Sequence, residues 1–95
     1  MAPHDITVTA TDRHVFRVDV TSGGTTTIHN VTATPAMVEG IMMMGTDPER
    51  VVTESFRFLL EREPKESILG GFDLPIIERY FPGYREEIRR RLAGS

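Results

Sequence analysis

The sequence predicts an α+β domain: a three-stranded antiparallel β-meander followed by three to four α-helices packed on one face. Three observations carry this. Residues 6–10 and 15–20 alternate apolar and polar side chains, many of them β-branched, at the period of a half-buried strand. A Ser22-Gly23-Gly24-Thr25 turn follows the second of these segments. From residue 46 onward the apolar spacing changes to three and four, punctuated by proline and acidic starts and by glycine stops, as in helices.

In the first strand Ile6, Val8 and Ala10 share one face and Thr7 and Thr9 the other. In the second, Phe16, Val18 and Val20 point inward, with Arg17 and Asp19 outward. Gly23-Gly24 accepts the two positive φ angles of a type I′ hairpin. Val20 is then expected opposite Thr27, Val18 opposite His29, and Phe16 opposite Val31. That register turns Val31 and Ala33 to the apolar face and Thr26, Asn30 and Thr32 to solvent. A slip of one residue would instead bury Ile28 and Asn30. An odd connection keeps the first two strands in face, and Thr11-Asp12-Arg13 supplies one that pairs Val8 with Phe16. The meander therefore has its second strand central, one apolar face and one threonine-rich face.

Thr34-Pro35 opens a short helix, with Pro35 at its first position and Gly45 as its stop. Gly40 weakens that helix, and loop or further sheet is the alternative for residues 35–45. Thr46-Asp47-Pro48-Glu49 is a helix start, with Thr46 and Glu49 as a capping box or Asp47 as the cap before Pro48. The helix runs to about Glu61. Val52, Phe56, Leu59 and Leu60 share a face, flanked by Val51, Ser55 and Phe58, while Arg50, Glu54, Arg57 and Glu61 form a charged ladder. So broad an apolar stripe marks the central helix, packed on the sheet. Pro64 starts another short helix that stops at Gly70-Gly71. Asp73 caps the next, with Ile76, Ile77, Tyr80 and Phe81. Pro82 disfavours helix at Phe81 and opens the last helix, where Tyr84, Ile88 and Leu92 recur.

Ninety-five residues make one domain, with residues 1–34 as the meander and 46–92 as the helical layer. The 39% hydrophobic and 26% charged content is that of a globular chain. Cysteine is absent, which excludes disulfides, thiolate metal sites and a cysteine nucleophile. The N-terminal residues lack a basic region followed by an apolar run, and no apolar run approaches membrane-spanning length. A cytoplasmic location without membrane association is the expectation. The net charge of −3 argues against a general nucleic-acid binder.

The usual catalytic signatures do not occur: there is no Gly-x-Ser-x-Gly, phosphate loop or Gly-x-Gly-x-x-Gly. His4 lies near the terminus, His14 at the corner of the first two strands, and His29 on the inward face beside Val18. His29 reads as a hydrogen-bonded core or rim residue in preference to a base. Ser55 and Ser67 lie on helices without a neighbouring base. Glu86 and Glu87 diverge around a helix, and Glu61, Glu63 and Glu66 form a solvated rim. No ligand spacing for a metal occurs, and no cofactor is expected. Asn30-Val31-Thr32 matches a glycosylation acceptor by coincidence.

Met37, Met42, Met43 and Met44 read as core filler or, if exposed, as an adaptable partner surface together with Ile28. The threonine-rich sheet face and the open edge of the third strand are further sticky surfaces. The short helix, Gly70-Gly71 and Asp73-capped helix are ordered like a helix–turn–helix. A recognition helix needs polar residues at its start, and Asp73-Leu74-Pro75-Ile76-Ile77 is mostly apolar. Arg85, Arg89, Arg90 and Arg91 form a small basic patch diluted by Glu86 and Glu87. A site between sheet and helices near His29, Tyr80 and Tyr84 is a third possibility.

Residues 55–60 (SFRFLL), 61–69 (EREPKESIL) and 72–84 (FDLPIIERYFPGY) give the chain the pattern SFxFLLEREPxxSILxxFDLxxIxRYFPxY. In this it resembles a family of short uncharacterised bacterial proteins, mainly actinobacterial, in agreement with ten arginines to one lysine. The likeness includes residues 23–31 and implies no activity. The expected function is a non-enzymatic protein-interaction or structural module, binding a protein partner or itself as a homodimer. The alternative is a small nucleic-acid-binding regulator using the C-terminal helices.

Overall fold

The computed structural model describes residues 5–41 and 47–93. Strands β1 (Asp5–Asp12), β2 (Val15–Ser22) and β3 (Thr25–Thr32) form the antiparallel meander. Both turn glycines adopt positive φ, 62° at Gly23 and 83° at Gly24, as a type I′ hairpin requires. The register that follows is the expected one: Val20 faces Thr27, Val18 faces His29, and Phe16 faces Val31. Val18, Val20, Val31 and Ala33 are buried, while Thr26, Ile28 and Asn30 are exposed.

The first hairpin corrects its expected register. Val8 faces Val18, not Phe16, and Ala10 faces Phe16. The chain reverses through Arg13 and His14, with Asp12 opposite Val15, and a bulge separates Ala10 from Asp12. A two-residue turn is an even connection, and the one extra bulged residue restores the odd parity that the faces demand. Ile6, Val8 and Ala10 therefore stay on the core side. His14 takes φ 66° in this turn, and the Asp12 carboxylate accepts the Arg13 amide at 2.7 Å.

The meander gains a fourth strand, the main departure from the expected fold. Strand β4 (Gly71–Asp73) pairs parallel with β3, placing Phe72 beside Val31. Asp73 therefore belongs to a strand and does not cap the following helix. The expected helix after Pro64 shrinks to a 3-10 turn, Lys65–Ser67. Between Pro64 and Pro75 the chain is too short and too broken by Gly70-Gly71 to form a packed helix. Extended, it satisfies the backbone of β3 instead: Asn30 donates to the Gly70 carbonyl at 2.9 Å, and Leu74 donates to Thr32 at 2.9 Å. The open edge of the third strand is thereby closed along these residues.

Among the described residues, four α-helices accompany the sheet: α1 (Pro35–Ile41), α2 (Pro48–Leu60), α3 (Ile76–Tyr80) and α4 (Tyr84–Ala93). The Thr34 hydroxyl accepts the Met37 amide and starts α1. The Asp47 carboxylate accepts the Glu49 amide at 3.0 Å and caps α2, with Pro48 in its first turn. Helix α3 starts at Pro75 without a side-chain cap. Phe81, ahead of Pro82, leaves the helical region at φ −131°, ψ 85°, which separates α3 from α4.

Helix α2 buries Val51, Val52, Ser55, Phe56, Phe58 and Leu59, which is most of its circumference. It packs on β1 and α1 on one side and on α4 on the other. Phe56 reaches His29 and Phe72 on the sheet, at ring centroid distances of 5.2 and 6.0 Å. Phe58 points the other way, meeting Phe81 and Tyr84 edge-on at 5.9 and 5.4 Å. Each such buried side chain contributes roughly 1.5–3 kcal/mol.

Tyr84, the first residue of α4, is fully buried. The Ser55 hydroxyl donates to the Val51 carbonyl at 2.6 Å, so the Tyr84 hydroxyl donates to Ser55 Oγ, also at 2.6 Å. Burial pushes the Tyr84 phenol well above its ordinary value near 10, with the Ser55 hydrogen bond opposing in part. A raised folded pKa stabilises the fold below the unfolded value and ceases to do so as pH rises beyond it. Urea unfolding is therefore expected to show stability falling above about pH 10. Tyr84→Phe should flatten that alkaline decline and lower stability at pH 7 by about 1–2 kcal/mol.

Candidate functional site

The end of α2, the 3-10 turn, β4 and α3 enclose an apolar cleft of about 370 Å³. Its lining includes Leu59 from α2, Ile68 and Leu69 ahead of β4, Phe72 within it, and Ile76, Ile77, Tyr80 and Phe81 around α3. Glu63 and Ser67 add polar groups at one side. Leu59, Ile68 and Ile77 are buried, whereas Leu69 is 50% and Tyr80 66% exposed. Local sequence explains the arrangement. Glu63 closes the end of α2 by donating its amide to Leu59, Pro64 and the 3-10 turn redirect the chain, and Ile68 is extended at φ −78°, ψ 135°.

His29 fixes one wall of this cleft. Its Nδ1 lies 2.7 Å from the Leu69 carbonyl and its Nε2 lies 2.8 Å from Thr27 Oγ1. A carbonyl only accepts, so Nδ1 carries the proton, and in the neutral ring Nε2 accepts from the threonine hydroxyl. Both nitrogens are bonded and the residue is 2% exposed. The reading of His29 as a hydrogen-bonded core residue describes it well. Of the trio His29, Tyr80 and Tyr84, only Tyr80 lines the cleft. Ser55 meets Tyr84 inside the core, a contact 29 residues apart that no local pattern announces.

The other anticipated surfaces lie apart. Ile28 is 48% exposed on the outer sheet face. That face holds a shallow groove lined by Thr7, Thr9, Thr11, Arg17, Asp19, Thr21 and Thr26. Arg17 binds Asp19 through two hydrogen bonds of 3.0 and 3.1 Å, and the Thr21 and Thr26 hydroxyls are 2.8 Å apart. Met37 is half-buried in α1, while Met42, Met43 and Met44 fall outside the described residues, as do His4 and Thr46. Among the described residues, no cluster of metal-ligating side chains occurs, and no helix is long and apolar enough to cross a membrane.

The C-terminal arginines are largely occupied by carboxylates. Arg85 binds Glu78 at 2.9 Å, Arg90 binds Glu87 at 3.0 Å, and Arg91 bridges Glu61 at 2.6 Å and Glu87 at 2.9 Å. Arg89 is exposed. Phe58 carries the Arg62 guanidinium 3.7 Å above its ring, with the Arg91 guanidinium 5.9 Å from the same ring centroid. These ion pairs offset the charge of Arg85, Arg90 and Arg91 locally. Lys65, the sole lysine, is buried along its stem and pairs with Glu66.

No family model, curated protein or solved structure matches the chain.

Two outcomes are expected. His29→Leu leaves the Leu69 carbonyl without its donor and should cost about 1–3 kcal/mol. Hydrogen exchange should then accelerate at the Asn30 and Leu74 amides, which hold β4 to β3. The hydrogen bond from Arg91, followed by the charges of Arg91 and Arg62, holds the Glu61 carboxyl below its ordinary value near 4.5, with slight burial opposing. A depressed folded pKa stabilises above the unfolded value and is lost as pH falls through the folded one. Denaturation as pH falls below about 5 should show this acid loss reduced in Glu61→Gln, by no more than about 1 kcal/mol because the pair is exposed.

Proposed function

We propose that the protein is a non-enzymatic interaction module that binds an extended apolar segment of a partner protein in the cleft beside β4. One observation carries this reading. Two of the three exposed large hydrophobic side chains among the described residues, Leu69 and Tyr80, stand at the mouth of the same apolar cleft. Exposed apolar groups that rim a concave apolar floor are the usual composition of a docking site.

The backbone of β4 supports an extended occupant. The bonds from Asn30 to Gly70 and from Leu74 to Thr32 show that residues 70, 72 and 74 direct their polar groups toward β3. By the alternation of a strand, Gly71 and Asp73 direct theirs outward. An added strand would bond there and drop alternate side chains into the cleft, which joins main-chain affinity to side-chain selectivity. The family resemblance noted from the sequence contributes no activity to this reading. Of the groups nearest to a catalytic constellation, His29 is bonded to Thr27 and to the Leu69 carbonyl, and Ser55 to Tyr84 and the Val51 carbonyl.

Selection from a displayed library of random peptides tests the proposal. Enriched peptides should share closely spaced aliphatic or aromatic residues. Their affinity, read by fluorescence anisotropy, should fall at least ~10-fold with Leu69→Glu or Tyr80→Ala, while the thermal midpoint changes little at these exposed positions. Peptides that bind Leu69→Glu and Tyr80→Ala as tightly as the parent, or the absence of any enriched peptide, would remove the cleft reading.

A further inference from the structure

The fourth strand protects one side of the sheet and leaves the other as an eight-residue edge. In β1 the run between Asp5 and Asp12 is Ile-Thr-Val-Thr-Ala-Thr, with no proline, no charge and no lysine. Proteins usually blunt such an edge with one of those devices. The direction of its free hydrogen-bonding groups follows from the sheet itself. Asn30 bonds to β4, so its neighbours His29 and Val31 bond to β2. Their partners Val18 and Phe16 bond to β3, which leaves Arg17 and Asp19 to bond to β1. Thr9 and Thr7, paired with these, are satisfied by β2. Ile6, Val8 and Ala10 therefore point their amides and carbonyls away from the sheet.

We propose that β1 is a self-association edge: two copies of this chain pair antiparallel through β1, with Val8 on the two-fold axis, joining two four-stranded sheets into one of eight strands. The register is dictated by chemistry. Facing residues must come from the same side of the sheet, so odd offsets that set apolar against threonine side chains are excluded. With Val8 opposite the partner's Val8, Ile6 faces the partner's Ala10 and Thr7 faces the partner's Thr9. All three residues with free backbone groups then meet one another, and apolar side chains oppose apolar ones on the core side. Threonines oppose threonines outside, a favourable cross-strand pair. Asp5 meets the partner's Thr11, so no carboxylates face each other. The contact is isologous and closes after two copies, which removes the exposed edge without leading to a fibre. This surface is separate from the cleft beside β4, at the opposite edge of the sheet.

Sedimentation equilibrium of the full chain provides the first test. A reversible dimer is expected, and a monomer up to millimolar concentration overturns the proposal. Ala10→Pro deletes an outward amide on an exposed side chain and should weaken dimerisation at least ~10-fold, since two symmetric hydrogen bonds are lost. The absence of native cysteine permits a second reading that does not depend on that variant folding. Oxidising a mixture of Thr7→Cys and Thr9→Cys should form the mixed disulfide in preference to either self-linked species. Self-linked Thr9→Cys or Thr7→Cys as the main product means another register and overturns this one, as does the absence of any cross-link in a dimeric sample. Leu69→Glu, which reads on the cleft, should leave the dimer intact.

Discussion

The hydrogen bond from His29 Nδ1 to the Leu69 carbonyl joins the three parts of the molecule. It links residues 40 positions apart at 2.7 Å. Its ring lies against Phe56 of α2, and Phe56 in turn stacks on Phe72 of β4. The meander, the central helix and the returning strand thus meet around one imidazole. A hydrocarbon side chain would fill the same space, but it would leave a strand-end carbonyl without a donor. The histidine is the one side chain here that brings both an apolar ring face and a directional donor to that point. The wall of the cleft from Ile68 to Phe72 depends on this bond for its position.

Helix α2 imposes the second constraint. It has packed neighbours on two sides, so a one-sided amphipathic stripe would not suffice. Phe56 serves the sheet side, and Phe58 with Ser55 serves α4. Serine is admitted to this interior because its hydroxyl has a carbonyl to donate to and the Tyr84 hydroxyl to accept from. The buried phenol is satisfied by the same pair, so neither polar group carries an uncompensated desolvation cost. Where α2 reaches solvent, Arg62 covers the Phe58 ring and Glu61 binds Arg91. The last turn of α2 and α4 are thereby held together by charge over an aromatic floor.

These constraints sort the surfaces by what they leave unfinished. Arg85, Arg90 and Arg91 of α4 are matched by Glu78, Glu87 and Glu61, and the outer sheet face carries its own Arg17–Asp19 pair. The cleft beside β4 and the edge of β1 are different in kind. In the first, apolar side chains stand in water around an apolar floor. In the second, backbone groups of three alternate residues face outward in a strand whose interior, between Asp5 and Asp12, carries no charge. The proposed roles in partner binding and self-association rest on that difference.

Much of the fold was legible because it is encoded locally. The second hairpin's register follows from Gly23-Gly24 and the alternation on either side. The cap of α2, its length and its wide apolar face follow from Asp47-Pro48 and the spacing of its valines and phenylalanines. The break at Phe81 follows from Pro82. The bulged first hairpin was not legible, because a three-residue loop and a two-residue loop with a bulge give the same faces, although they set Val8 opposite different residues of β2. Strand β4 was not legible either. Three residues have no readable period, and Gly71–Asp73 becomes a strand only because β3, some 40 residues earlier, offers it unpaired groups. The cleft is made by four segments meeting, and the pairing of Arg91 with Glu61 spans 30 residues. Alone, then, the sequence determined where the chain turns, caps and alternates, since those depend on dihedral preferences and side-chain period within a few residues. Only tertiary structure decided which edge is closed, which polar groups find partners and which apolar groups remain exposed, because each depends on surfaces brought together from distant parts of the chain.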